Sequence, residues 1–299
     1  MSRNKSVSKK KPAKQACFAQ LTLDFTFKKV FASESRQSRK FLISLIESFL
    51  GEYLQGKIKK IQLLPNEQRS KSRKQRAAVF DLHCTDNNGN RFIIEMQLAK
   101  RDFFMGRILF YLSLTIAGIV KKGKDYKFDL PRIYSLSFLD FEPDLLAGGK
   151  DIINHIGLAN IKHPERRHSD MHIALVVLPR FKKTLEQCKT PFDLWLYLFK
   201  NLHKLDEVPA RFRPAEFRGV FDIAKISNFN ERELREYEAD MKYLDDYNAT
   251  IAYAKREAKE EGFGLCRRET AKSMLKDGLK PAFIARHTKL SRKEILALK

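Results

Sequence analysis

The sequence predicts an α/β (α+β) protein with a mixed β-sheet flanked by helices and a helical C-terminal extension. One observation is a hairpin, in which the turn Asn87-Asn88-Gly89 separates two segments of alternating polar and apolar residues. A second is the helical spacing of apolar residues before and after that hairpin. The resulting element order, α-β-β-β-α-β, favours one sheet with helices on each side.

The elements of this core lie in the first half of the chain. The patterns predict a helix at about residues 24–50, a strand near 58–64, hairpin strands near 77–85 and 91–98, a helix at about 102–122 and a strand near 132–138. They then predict a strand at 171–181, an amphipathic helix at 192–202 and a long charged helix at 231–261. We divide the chain into a disordered basic arm (1–17), the core (18–145), a mostly helical accessory region (146–262) and a small helical tail (263–299).

The turn sets the register of the hairpin, because a three-residue loop with Gly89 at positive φ fixes which residues face each other. This register predicts three cross-strand pairs: Asp86 with Asn90, Asp81 with Glu95, and Val79 with Gln97. Side chains alternate between the two faces. The face predicted to pack into the core carries Phe80, Leu82, Cys84, Phe92, Ile94 and Met96. The polar face carries Asp81, His83, Glu95 and Gln97.

Asp81 and Glu95 form the unusual pair on the polar face. Cross-strand partners lie roughly 4.5–5.5 Å apart at Cβ, which is too close for two unpaired negative charges. A hard, oxygen-seeking cation such as Mg²⁺ would remove the conflict. The alternative is an ordinary solvated face on which Arg91 or nearby lysines neutralise the two carboxylates.

The overall charge indicates a polyanionic partner. The 299 residues contain 58 Lys and Arg against 36 Asp and Glu, a formal net charge of +22. This excess favours nucleic acid or an acidic membrane surface. Two basic segments stand out: the arm before residue 15, which is either a phosphate-contacting or a solubilising tail, and a run directly before the Asp81 strand. The run predicts a loop whose basic side chains clamp the DNA backbone: Arg69, Lys71, Arg73, Lys74 and Arg76. The alternative is a loop whose charges are only solvated.

The sequence lacks the signatures of several protein classes. The cysteines, Cys17, Cys84, Cys188 and Cys266, form no CxxC pair, so neither a disulfide framework nor a zinc site is indicated. The longest apolar run, residues 108–120, is shorter than the roughly 18 residues of a membrane span, and we expect no secretion signal. Motifs for a serine hydrolase, a phosphate loop or a dinucleotide cofactor are missing. We expect a cytoplasmic protein without a membrane partner or small-molecule cofactor.

Several segments, taken in chain order, form a wider pattern: DFTFKKVF (24–31), FLISLI (41–46), Asp81, IEMQ (94–97), RILFY (107–111), GKDY (123–126), FDLWLY (192–197) and residues 271–298. This pattern resembles the Rpn family of recombination-promoting nucleases, also called PD-(D/E)XK nuclease family transposases. The resemblance implies a restriction-endonuclease-like core. It also implies a Mg²⁺-dependent DNA endonuclease of low sequence specificity, linked to recombination or mobile elements.

The resemblance assigns roles to the residues of the hairpin. Asp81, Glu95 and the carbonyl of Met96 would hold the metal, and Gln97 would orient the attacking water. The wider superfamily has a lysine at this last position, and the resembled family has glutamine. A neutral amide orients water by hydrogen bonding but supplies no charge, so the metal must contribute more of the activation.

Asp24 and the oligomeric state complete the functional expectations. By resemblance Asp24 is the outer acidic partner of the site, although an N-cap role for the first helix is equally compatible with its position.

Cutting both strands of a duplex with one site per chain would favour a homodimer. The alternative function is a catalytically weak or inactive nucleic-acid-binding protein that keeps the nuclease fold.

The tail shows helix stop and start signals in quick succession. Gly278 is placed to end one helix, Pro281 to begin a second, and Ser291 with Glu294 to form a capping box for a third. Short helices around such turns fit a helix-turn-helix DNA reader and a small protein-interaction module equally well.

Overall fold

The computed structural model describes residues 16–68, 78–119, 130–213 and 215–298, which contain eight β-strands and eight α-helices. The strands are β1 (Ile61–Leu63), β2 (Glu67–Gln68), β3 (Ala78–Val79), β4 (Leu82–Asp86), β5 (Arg91–Gln97), β6 (Ile133–Leu139), β7 (Ile153–Ala159) and β8 (Arg167–Val177). The helices are α1 (Asp24–Phe31), α2 (Arg36–Leu50), α3 (Phe104–Ile119), α4 (Pro191–Asn201), α5 (Ala215–Ala224), α6 (Glu231–Lys276), α7 (Pro281–Thr288) and α8 (Arg292–Leu296). No helix in these ranges is both long and apolar enough to cross a bilayer.

Six strands form one mixed sheet in the order β1-β4-β5-β6-β8-β7, and β2 pairs with β3 separately. Strand β4 runs antiparallel to its two neighbours, β1 and β5, whereas β5, β6 and β8 run parallel. The parallel step from β5 to β6 includes α3, as a crossover connection requires. The predicted fold class, a mixed sheet flanked by helices with a helical C-terminal part, is confirmed.

Two hydrophobic clusters cover the two faces of the sheet. The larger cluster packs residues of α1, α2, α4 and α5 against one face, where Ile94 points, and includes the fully buried Trp195. The smaller cluster places α3 on the opposite face, where the next residue along the strand, Ile93, meets Ile108 and Leu112. The polar residues of β5 at alternate positions therefore lie on the α3 face.

The helix predicted at residues 24–50 is two helices. The chain leaves α1 after Phe31, and Ser35 starts α2 by accepting a hydrogen bond from the Ser38 backbone N–H at 3.1 Å. Serine is a strong N-cap because its hydroxyl satisfies a backbone donor of the first turn. A serine-rich stretch between two apolar patterns thus interrupts the helix.

The hairpin register is as predicted, but its first strand is shorter. Gly89 has a φ of +84°, and Leu82 lies opposite Ile94, which is the register that brings Asp81 opposite Glu95. The predicted pairing of Val79 with Gln97 is wrong, because Val79 pairs with Glu67 of β2.

The chain bends between β3 and β4, and this bend also changes the face on which Phe80 packs. The Phe80 backbone N–H donates to the Asn66 carbonyl at 2.8 Å, which continues the pairing of β2 with β3 and not the pairing with β5. Phe80 accordingly packs in the smaller cluster with Ile93 and Ile108, and not on the face of Leu82 as predicted. Asp81 therefore lies at a break in the strand.

The sheet extends beyond the predicted core boundary at residue 145. Strands β7 and β8 form an antiparallel pair, and β8 lies parallel to β6. The region from 146 to 262 therefore supplies one third of the strands of the main sheet, in addition to helices α4, α5 and most of α6. The chain divides into two compact units within α6, at Met241 and Lys242.

Candidate active site

The bend before β4 places Asp81 against the end of β5. The Asp81 backbone N–H donates to Glu95 Oε1 at 3.2 Å. In return, the Met96 backbone N–H donates to Asp81 Oδ2 at 2.7 Å. These two hydrogen bonds hold both carboxylates at one point of the sheet.

Gln97 joins the carboxylates through its amide. It lies two residues after Glu95 and therefore on the same face of β5. Its Nε2 donates to Glu95 Oε2 at 3.0 Å. The structure thus brings together Asp81, Glu95 and Gln97, while the catalytic roles of these residues stay predictions.

The acidic pair is largely shielded from solvent. Glu95 is only 4% exposed and Asp81 is partly buried beneath the α3 layer. Burial raises the pKa of the Asp81 carboxyl to about 6. Burial, together with the negative charge of Asp81, raises the pKa of Glu95 to about 8. A site that crowds two carboxylates in this way is suited to a positive ion.

Two side chains from neighbouring helices provide positive charge. Arg107 of α3 places Nη2 3.9 Å from Glu95 Oε2, and its guanidinium lies 5.8 Å from the centre of the Tyr111 ring. Arg107 and Lys28 both lower the pKa values of the two carboxyls, though less than burial raises them. The pair does not lie on an ordinary solvated face, because Glu95 is buried. Arg91 lies opposite Thr85, further along the hairpin, whereas Lys28 is a lysine whose charge acts on both carboxyls.

Asp24 lies in the first turn of α1. Leu23 occupies the N-cap position without a side-chain hydrogen bond, so the N-cap alternative for Asp24 is wrong. Asp24 forms an exposed ion pair with Lys28 at 2.7 Å. Its negative charge contributes to the raised pKa of Asp81, which places it within electrostatic range of the site.

The site offers oxygen ligands but not a complete metal cage. Within residues 16–68, 78–119, 130–213 and 215–298, no three His, Cys, Asp or Glu side chains converge to hold a metal by themselves. Asp81 and Glu95 supply two carboxylates. The N–H and C=O of a strand residue point to the same side, so the Met96 carbonyl faces the side of Asp81. This donor set fits Mg²⁺, which is usually bound by one or two carboxylates with waters and substrate phosphate completing its shell.

Three other features of the sequence analysis lie outside the described residues. They comprise the basic arm before residue 16, the segment GKDY at 123–126 and the predicted DNA-binding side chains Arg69, Lys71, Arg73, Lys74 and Arg76.

Sequence reasoning missed Arg107 as a member of the site. It is the only charged residue in α3, whose other residues are apolar or small and polar. A lone charge in an apolar helix needs a partner when the helix packs on a sheet. That signal was present, but the partner, Glu95, became evident only from the packing of α3.

A mixed sheet with flanking helices that presents an acidic pair and a glutamine at its central hairpin fits the PD-(D/E)XK class of proteins. The chain belongs to the PD-(D/E)XK nuclease family transposases, since the model of that family matches residues 21–254 of the 299. No curated protein and no solved structure shows a significant match to the chain. The family supports a nuclease or transposase-related role.

The raised pKa values predict how stability depends on pH in the absence of metal. Both folded-state pKa values lie above their ordinary values, so the folded protein binds protons more tightly than the unfolded chain. This contribution to stability is complete below about pH 4 and is lost as the pH rises through about 6 and then about 8. An Asp81→Asn/Glu95→Gln double variant lacks both titrations. We expect its free energy of unfolding, relative to the parent, to increase by several kcal/mol between about pH 5 and 8, because each pKa unit corresponds to about 1.4 kcal/mol.

Urea unfolding in EDTA at several pH values measures this difference. The histidines and surface carboxyls are common to both proteins, so their titrations cancel in the comparison. A difference that stays constant across this range would contradict the assignment of the raised pKa values to the acidic pair.

Proposed function

We propose that the protein is a divalent-metal-dependent DNA endonuclease that hydrolyses phosphodiester bonds with low sequence preference in the cytoplasm. The observation that carries the proposal is the buried contact between Asp81 and Glu95, with the Gln97 amide on Glu95. Membership of the nuclease family supports the reaction class. A link to recombination or mobile elements follows from the transposase part of the family description and belongs to the same proposal.

Asp81, Glu95 and the Met96 carbonyl would hold Mg²⁺ or another divalent cation. Such an ion, when bound, supplies Lewis-acid activation and neutralises charge on the reacting phosphate. Asp24, at the edge of the site, would act as an outer acidic group that orients waters. These assignments leave the remaining ligand positions to water and to the substrate.

Gln97 and Arg107 would complete the chemistry on either side of Glu95. The Gln97 Nε2 is engaged by Glu95, which leaves its carbonyl oxygen as an acceptor that orients the attacking water. Arg107 would contact the scissile phosphate, since a guanidinium is a strong phosphate ligand and this one is only partly buried. It would supply, from α3, the positive charge that the superfamily takes from its strand lysine.

The charge of the whole chain supports DNA as substrate and a low sequence preference. A formal net charge of +22 attracts the phosphate backbone irrespective of base sequence. Arg69, Lys71, Arg73, Lys74 and Arg76 precede the Asp81 strand in the sequence and would contact phosphates flanking the cut. A homodimer, with one site for each strand, would account for double-strand cleavage.

The second candidate is a nucleic-acid-binding protein with weak or no catalysis, which the neutral Gln97 favours. Supercoiled plasmid incubated with purified protein and Mg²⁺, Mn²⁺, Ca²⁺ or EDTA separates the two functions. We expect nicking with Mg²⁺ or Mn²⁺, none with EDTA, and none from Asp81→Ala. Equal nicking by Asp81→Ala and the parent would refute the assigned site. Metal-independent, salt-sensitive DNA binding without cleavage by either protein would establish the second candidate.

A further inference from the structure

The end of the chain folds as two short helices around a tight turn. α7 ends at Thr288, and Lys289 follows in the left-handed conformation with a φ of +59°. Ser291 then caps α8 together with Glu294, with both hydrogen bonds of the capping box present. Leu290 and Ser291 thus complete a three-residue turn between the helices, the connection length of a helix-turn-helix motif.

A small core fixes these helices against the end of α6. The buried residues Ala271, Ile284 and Ile295 come from α6, α7 and α8 respectively. Leu290 in the turn packs against them, as do Met274 and Leu275 of α6 and Leu298 after α8. Each helix thus contributes one buried residue to a shared centre, which holds α8 at a set orientation on α7.

Positive charge concentrates on the outside of this three-helix unit. Residues 271–299 contain eight Lys and Arg against two Asp and Glu, whereas residues 231–270 contain eight against eleven. Five of the cations, all exposed, flank or lie within α7, the turn and α8: Lys280, Arg286, Lys289, Arg292 and Lys293. Because residues 231–270 of α6 are more acidic than basic, the excess of positive charge is confined to residues 271–299 and does not extend along α6.

We propose that the end of α6, α7 and α8 form a helix-turn-helix that binds duplex DNA separately from the nuclease site. α8 would enter the major groove with Arg292 and Lys293, while Lys280, Arg286 and Lys289 contact the flanking phosphates. The unit would add a DNA contact with its own sequence preference to a nuclease that cuts with little preference of its own.

Self-association is the rival explanation for this surface. Phe283 is 45% exposed and Leu296 is 54% exposed, so apolar area is available on α7 and α8. Two copies would, however, bring together surfaces with a formal net charge of +6 each, counted over residues 271–299. Charge complementarity therefore favours a polyanion over a second copy.

The test is a binding experiment on the full chain in EDTA, where no cleavage interferes. A labelled 30-base-pair duplex pool of random sequence is the probe, and the variant is Arg292→Glu/Lys293→Glu. We expect about a tenfold or greater loss of affinity and a weaker salt dependence, because two cations that face the polyanion become anions. The matched control is Lys255→Glu/Lys259→Glu, which makes the same charge change on exposed positions of α6 and should alter affinity much less.

Two further readouts decide between the explanations. Rounds of selection from the same pool should enrich one sequence with the parent protein and not with Arg292→Glu/Lys293→Glu. Equal affinity of the two proteins and identical selected pools would overturn the proposal, as would a change in oligomeric state without a change in DNA binding. Because the readout is binding without metal, loss of the nuclease proposal would leave this result unaffected, and circular dichroism checks that both variants fold.

Discussion

Replacing Glu95 with glutamine is expected to reduce Mg²⁺-dependent DNA cleavage by about a thousandfold or more. The substitution keeps the shape of the side chain and an oxygen that accepts from the Asp81 N–H. It removes the negative charge that would hold the cation beside Asp81. Metal catalysis contributes several kcal/mol, and about 1.4 kcal/mol corresponds to a factor of ten in rate.

The same variant should be at least as stable as the parent when metal is absent. Glu95 is buried and faces a second carboxylate, so its ionised form costs free energy that an amide avoids. Single-turnover cleavage and thermal unfolding with and without Mg²⁺ measure the two effects. Glu34→Gln, at an exposed position, is the matched control and should change neither. Full cleavage by Glu95→Gln, or loss of folding in EDTA, would contradict the proposed role.

Replacing Arg107 with alanine is expected to reduce cleavage by about a hundredfold, the second-largest effect. Its guanidinium is 3.9 Å from Glu95 Oε2, where it would contact the phosphate on which negative charge develops. Loss of one such donor typically costs about 10²–10³-fold in rate. Because Arg107 lowers the pKa of both carboxyls, the cleavage profile of the variant should also move to higher pH.

Chemical rescue distinguishes a phosphate contact from simple packing. Added guanidinium should restore part of the activity of Arg107→Ala, and Arg107→Lys should lose less than the alanine variant because it keeps a charge without the planar donor pair. Arg91→Ala removes an arginine from the far end of β5 and serves as the control. The assignment fails if guanidinium has no effect and the pH profile of Arg107→Ala matches that of the parent.

The acidic pair shows which features of the site can be predicted from local sequence and which cannot. Asn87-Asn88-Gly89 permits a tight turn with Gly89 at positive φ, and the period-two alternation of strands then sets the register to Asp81 and Glu95. These are short-range effects that neighbouring residues determine. The alternation failed at Phe80 because its backbone N–H donates to the Asn66 carbonyl, outside the hairpin, where the chain bends.

The sequence by itself determined the mixed α/β class, the hairpin register and the capping signals of the tail, because each depends on residues close together in the chain. Only the tertiary structure decided that β7 and β8 belong to the main sheet, since parallel pairing between β6 and β8 joins segments separated by a long connection. It also decided the environment of the acidic pair. The burial of Glu95 and the approach of Arg107 depend on how α3 packs across β5. Packing between distant segments produces no pattern in the local sequence from which it could be predicted.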